Sequence, residues 1–495
     1  MIITGDAPKS PKASTPLLND AGGSGAPPPA YAPRSPPPVA LGQAPYRVYQ
    51  PAYPQQRTGT SAARRFCVAF LVALGIWILM SVLLGSIFDR GALQLLSGPY
   101  GGYPVPRGVD LEDCIAGWSE SSRSSESQLF PYSAKASFDL ALPSETLLLL
   151  SEGALSAGNL RVTTSSKTSD SVRVNVVVSY HSASVRDLAK VCLLKRDAGE
   201  GGVGIFTPRN WRSRQRTYRL YFDVELILPA GSAGSPVDIH GLTTDVHNFG
   251  QDLEALQDII NFGQISLKGS NGRIRARTLG ASNATISTSN GAVSFDYLVA
   301  TSTTVRSTNG GISGTYVVAD SLDLTTSNGA INVAVGINGS ESVRHTLGMT
   351  TSNNVIDALV NLDTYSGTGG DFRVAAKTSN GRLTTRVGSL PLDAVLTLDA
   401  RTSNSAASAV LPATFEGKVE ASTSNAPVVM QRVDGHERDP ACEHTDSECK
   451  GRSRTVQTRM ISKQHMTGSV YWDKKNEHRG TVHLRTSNSP VTLNV

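Results

Sequence analysis

Charge, aromatic rings and helix-type patterning are all scarce in this chain of 495 residues. Charged residues make up 18% and aromatic residues 6%, with 6 Met, 4 Trp and 5 Cys. Hydrolases and lyases that cut polysaccharides on a β-helix need clustered carboxylates, for acid–base work or to hold calcium. Here no two Asp are adjacent, and Asp296, Asp320, Asp323 and Asp357 share no common repeat position. No Ser-His-Asp arrangement or nucleophile elbow is readable either. The net charge of +5 is too slight to point to nucleic acid as a partner. Nothing in the pattern calls for a cofactor or a metal.

What is present is a period. Asn271, Asn290, Asn309 and Asn328 follow one another at a spacing of 19 residues, each ending a short polar signature such as Thr-Ser-Asn-Gly. The signature returns with looser spacing at Asn353, Asn380, Asn404, Asn425 and Asn488. Three residues after each Asn comes an apolar position (Ile274, Val293, Ile312, Ile331, Ile356, Leu383, Val428, Val491), with Ala407 the small exception. Apolar residues also stand six and four positions before it, as in Leu322 and Leu324. Alternation of this kind lines one face of a strand. A fixed period near 20 residues marks a solenoid of stacked coils. The Asn-Gly pair is expected at a corner, because both residue types tolerate the left-handed backbone of a tight turn. Coils about 4.8 Å apart would let the Asn amides bond to one another along the stack.

Phe66 to Phe88 carries no charge and is bounded by Arg64-Arg65 and Asp89-Arg90, so residues 64–88 are expected to cross a membrane as one helix. Lys9, Lys12, Arg34, Arg47, Arg57, Arg64 and Arg65 precede it against only Asp6 and Asp20, which places the N-terminus in the cytoplasm. The bulk of the chain then faces the lumen or the exterior, as in a type II protein of the plasma membrane or a secretory-pathway membrane. Residues 1–63 hold half of the 26 Pro and are expected to be a disordered tail with polyproline II character. Within it Pro28, Pro29 and Tyr31 match the motif read by WW domains, among them those of ubiquitin ligases that sort membrane cargo. Cys67, at the cytoplasmic edge, is a candidate for palmitoylation or simply a buried thiol.

Residues 89–130 read as a stalk, and 131–230 as a β domain or as the irregular cap of the solenoid that fills 231–495. Gly199–Gly204 matches G-x-G-x-x-G formally, but no helix follows, and a mobile hairpin loop is expected. Arg209, Arg212, Arg214, Arg216 and Arg219 flank it, as solvated charges or as an anion-binding patch. Outside the membrane four Cys remain in an oxidising compartment. Cys442 and Cys449 should close a small loop, which leaves Cys114 with Cys192. That loop lies in the long interruption at 433–480, an acidic insertion without regular zinc spacing and the sharpest candidate for recognition. Asn283 and Asn338 head Asn-x-Ser/Thr sequons and are candidate glycan acceptors.

A strand, then Leu228-Pro229-Ala230-Gly231, then repeated Ser-Asn-Gly-x-Ile units resembles the adhesin-like family of β-solenoid domains. It is also similar to uncharacterised single-pass surface proteins of basidiomycete fungi. The resemblance covers about residues 220–495 and implies a right-handed parallel β-solenoid with a non-enzymatic surface role. Two classes of function follow. One is a membrane-anchored rod for adhesion, cell-wall contact or surface assembly, with cell-wall polysaccharide or a surface protein as partner. The other is a polysaccharide-active β-helix enzyme. A sorting role through the Pro-rich tail is a further alternative.

Overall fold

The computed structural model describes residues 102–121, 130–142, 145–165, 171–211, 218–231, 235–432, 439–442 and 453–495. The expected membrane span at 64–88 and the Pro-rich tail lie outside them. No helix among the described residues is long and apolar enough to cross a membrane.

Each repeat is one coil with two strands, an outgoing strand after the Asn corner and an incoming strand before the next. Successive coils pair in parallel and in register, with Ile274 beside Val293 and Val293 beside Ile312. In the three most regular coils both halves merge into single 14-residue strands, Ile274–Ser287, Val293–Arg306 and Ile312–Thr325. Later coils carry a loop between the halves, as between Ile331–Gly339 and Arg344–Thr350. The outgoing strands form one sheet and the incoming strands the other. Between them lies the core, where alternate residues such as Ile274, Ala276, Leu279, Ala284 and Ile286 are buried. A fully buried Ile or Leu stabilises by about 1.5–3 kcal/mol, so one coil's inward residues outweigh any single polar contact at its surface.

Every residue of the corner signature has an identifiable contact. The Thr hydroxyl accepts from the backbone N–H three residues on (Gly329 N to Thr326 Oγ1, 3.1 Å) and donates to the preceding coil (Thr326 Oγ1 to Gly310 O, 3.1 Å). The Ser and Asn amides both donate to one carbonyl below, as Ser352 N and Asn353 N do to Ser327 O, each at 3.0 Å. The Asn side chains form the expected ladder, each Nδ2 donating to the Oδ1 of the coil before it at 2.6–2.7 Å. Asn248 begins it, accepting from Asn271 at 2.6 Å, although its neighbours His247 and Phe249 do not match the signature.

The reason for Gly differs from the expectation. None of the corner Asn or Gly residues has a positive φ. At the regular corners crowding selects Gly: a Cβ on Gly310 would stand 1.8 Å from Gly291 O, and one on Gly329 2.0 Å from Gly310 O. Where the signature carries Ser or Asn instead, the side chain bonds the coil below, as Ser405 Oγ does to Asn380 O at 2.6 Å and Asn354 Nδ2 to Asn328 O at 3.0 Å.

Both ends of the stack are built out of chain order. At the first end the coil Thr146–Glu152 and Gly158–Thr164 lies between two later ones. Glu200–Phe206 and Leu220–Leu228 flank it on one side, Val237–Val246 and Phe249–Ala255 on the other, all parallel. The 131–230 region is therefore part of the solenoid, with Tyr132–Ala141 and Ser171–Tyr180 added antiparallel as a cap. At the second end the coil Gly480–Arg485 and Val491–Asn494 inserts between Val395–Val410 and Gly417–Gln431. The Asn ladder records the same order, with Asn488 donating to Asn404 and Asn425 to Asn488, each at 2.7 Å. The hairpin Thr455–Ser462 and His465–Tyr471 pairs antiparallel on Gly417–Ser422. Residues 455–471 of the interruption thus supply an end cap, and the acidic disulfide-stapled loop expected within it lies outside the described residues apart from Asp439–Cys442. The Glu416 carboxylate anchors the return loop, accepting from Trp472 N (2.7 Å), Asp473 N (3.0 Å) and Asn476 Nδ2 (2.6 Å).

Two more expectations are corrected. Glu200–Phe206 is a largely buried strand and no loop; a Cβ on Gly202 would stand 1.9 Å from Leu148 O. Residues 102–121 are folded rather than a free stalk. Asp110–Cys114 pairs with Lys190–Lys195, and Tyr103, Val105, Val109 and Leu111 pack with Leu150, Leu194 and Phe206.

Gly310→Ala should cost about 3 kcal/mol by forcing adjacent corners apart. Gly280→Ala, whose Cβ meets only Gln257 Cγ at 3.9 Å, should change stability by less than about 0.5 kcal/mol. Urea midpoints of the two variants check the contrast. Glu416→Ala should cost about 3 kcal/mol and bring early proteolysis to residues 472–495, read by mass spectrometry of the first cleavage products.

Candidate functional surfaces

The residues singled out in the sequence do not converge on one site. Asn283 and Asn338 are exposed, one on each sheet. A disulfide joins Cys114 to Cys192 across paired strands, and Cys442 is also disulfide-bonded, with Cys449 outside the described residues. Arg209 is exposed, while Arg212, Arg214 and Arg216 lie outside the described residues, as do Pro28, Pro29, Tyr31 and Cys67. Among the described residues no three His, Cys, Asp or Glu side chains are grouped to hold a metal.

The chemistry-bearing clusters come from residues that belong to no catalytic sequence motif. At the head of the Asn ladder, Ser270 Oγ is 3.0 Å from His247 Nδ1, and His247 Nε2 is 3.0 Å from Glu152 Oε1. Burial raises the Glu152 carboxyl above its ordinary pKa, against the lowering effect of His247. The line of groups looks like a hydrolytic triad, but the local amides are engaged elsewhere. Ser270 N and Asn271 N both donate to His247 O, at 2.7 and 3.0 Å, so neither is available to stabilise an oxyanion. His247 occupies the Ser place of the corner signature, and its contacts tie three coils together. At the other end, Glu420 lies 3.2 Å from both His465 Nε2 and His483 Nδ1, between the cap hairpin and the intercalated coil.

A groove of about 360 Å³ opens on the outer face of the outgoing sheet near the first cap. It crosses four strands, Tyr132–Ala141, Ser171–Tyr180, Leu220–Leu228 and Gly158–Thr164, whose register sets its lining in rungs. One rung is Lys135, Val177, Asp223 and Asn159; the next is Ser137, Asn175, Glu225 and Arg161. Alternation explains why these side chains point outward while Val176, Phe222, Val224 and Leu160 point into the core. Ser137 Oγ donates to Asn175 Oδ1 (2.9 Å), and Asn175 Nδ2 to Glu225 Oε2 (3.3 Å). Tyr221 precedes Asp223 on the same strand face, is 38% exposed, and has its ring 6.3 Å from Phe130. Burial, with Asp223 nearby, raises the pKa of its hydroxyl. No motif announces this groove, because its residues come from strands scattered over 90 positions and meet only in the cap.

Residues 301–433 match the model of a domain of unknown function, DUF7330. No curated protein matches the chain. Among solved structures, a candidate adhesin of Bacteroides fragilis is 11% identical, covering 46% of this chain and 96% of its own, with a TM-score of 0.25. A candidate cell adhesion protein of Clostridium sporogenes is 8% identical, covering 73% and 98%, with a TM-score of 0.14. A candidate adhesin of Parabacteroides merdae is 10% identical, covering 53% and 95%, with a TM-score of 0.21. These superpositions are too loose to transfer anything to this chain.

The raised Glu152 pKa has a definite sign. The folded state holds that proton more tightly than the unfolded chain, so this group's contribution to stability falls as pH rises through the window between the ordinary Glu value and the folded one. Urea midpoints across about pH 4 to 7 should show Glu152→Gln gaining on the wild type as pH rises. Parallel profiles would remove the case for a partly buried, costly carboxylate.

Proposed function

We propose that this chain is a non-enzymatic, single-pass type II membrane protein that displays an extracytoplasmic β-solenoid for adhesion, cell-wall contact or surface assembly. The observation that carries the reading is the use made of its reactive side chains. Ser270, His247 and Glu152, the nearest approach to a reaction centre among the described residues, are arranged to hold adjacent coils, with the local amides already engaged. The other long-lived feature is a stiff stack of parallel coils capped at both ends, suited to present its outer faces at a distance. The uncharged run Phe66–Phe88 supports a membrane anchor, and the Cys114–Cys192 disulfide and exposed sequon residues Asn283 and Asn338 suit an oxidising, extracytoplasmic side. Pro28, Pro29 and Tyr31 give the cytoplasmic tail a means of recruiting a WW-domain ubiquitin ligase, a sorting role compatible with surface display.

Tags placed before residue 1 and after residue 495 test the topology in intact cells. The second should be reached by antibody and the first only after permeabilisation. Cells carrying the chain should adhere to wall material or to one another more than cells without it. A shielded second tag, or unchanged adhesion, would sink the reading.

A further inference from the structure

The geometry points to the groove of Lys135, Asn159, Arg161, Asn175, Asp223 and Glu225 as a binding site for a short, uncharged run of pyranose rings within a glycan. The assignment rests on the display reading above and names the surface through which contact is made. Four features of the groove lead to it.

First, the groove is built on a rigid support. Its lining is carried by in-register strands of the cap and first coils rather than by loops, so the polar atoms are pre-positioned. Its width of four strands is roughly 14 Å, three strand spacings of about 4.8 Å, which suits several linked rings better than one small metabolite. The volume of about 360 Å³ falls within the range of ligand sites, which run from about 300 to 1,000 Å³.

Second, the charges cancel. Lys135 and Arg161 face Asp223 and Glu225 across the same two rungs. An anionic polymer would meet the two carboxylates and a cationic one the two bases, so the set favours a neutral ligand.

Third, the groups come as planar pairs. Adjacent ring hydroxyls can each donate to one oxygen of a carboxylate, or donate to the oxygen and accept from the nitrogen of one amide. The groove supplies two carboxylates and two amides, with Lys and Arg as donors to ring and hydroxyl oxygens. The Asn175 amide is already oriented by Ser137 and Glu225. The Asn159 amide lies over Gly250, where a Cβ would stand 2.6 Å from its Oδ1, so the missing side chain is what gives that amide its place.

Fourth, apolar surface sits where a pyranose would lay its C–H face. Val177 forms a half-buried floor, and Tyr221, beside Phe130 and one rung beyond Asp223 on the same strand face, presents an aromatic surface next to the lining.

The test uses the full chain in detergent micelles against immobilised cello-, chito-, manno- and laminari-oligosaccharides, followed by calorimetric titration of any probe retained. Glu225→Gln and Tyr221→Ala should each weaken that titration at least tenfold, about 1.4 kcal/mol each. Gly250→Ala should weaken it too, by displacing Asn159 without removing a polar group. Arg386→Ala, on the outer face of a distant coil, should leave it unchanged. Urea midpoints equal to wild type show that the variants are folded. Binding indifferent to Glu225→Gln and Tyr221→Ala overturns the groove, as does retention of none of the probes. If the probes fail but cells carrying the chain still adhere, the groove is wrong and surface display stands. If adhesion is absent as well, both readings fall.

Discussion

The carbonyl oxygen of one corner occupies the place where the next corner's Cβ would be. That crowding at Gly272, Gly291, Gly310 and Gly329 shows how tightly the in-register strand pairing packs the corners, and the same spacing holds where Asn354 and Ser405 take the Gly place by bonding the coil below. Corners this close bring Asn amides within 2.6–2.7 Å of each other, and the ladder holds each coil in the register that keeps its apolar residues inward. Because that edge is so constrained, the coils from Ile274 to Val410 vary at the opposite edge. The bends at residues 340–343, 365–370, 390–394 and 411–416 absorb the extra residues that loosen the period after Asn328.

Charge pairs on the outer faces follow the same geometry. Arg273 with Asp252, Arg275 with Asp296, Arg344 with Asp371 and Arg386 with Asp357 each bridge neighbouring coils. They are largely exposed, and such pairs contribute about 0–1 kcal/mol apiece, so they bias register more than they hold the stack together. The two His–carboxylate clusters differ in placement, since each sits where a coil leaves chain order.

Much of the architecture was legible because it is periodic. The spacing of Asn271 to Asn328 and the apolar position three residues on report a coil directly, and the amide ladder follows from strand spacing. The role of Gly was misread because positive φ and absence of space select the same residue, and only the contacts separate them. Out-of-order stacking leaves no local trace: Asn488 carries the same signature whether its coil comes last in space or next to last. The groove was illegible for a related reason. Lys135, Asn175, Glu225 and Arg161 lie on strands whose pairing is antiparallel in part and non-sequential in part, so no window of sequence contains the site.

The displaced coils give the molecule a timetable. Coils from Ile274 onward can stack as they are made, each on a finished neighbour. The strand Gly417–Ser422 cannot, because its partner Gly480–Arg485 is separated from it by the whole hairpin. At synthesis rates of about 5–20 residues per second, the strands between Val395 and Gln431 wait several seconds with unpaired edges. The coil at Thr146–Thr164 waits likewise for Glu200–Leu228. During those intervals the missing partner can be supplied by the same segment of a second nascent chain, and the product would be an exchanged pair of molecules with every hydrogen bond intact.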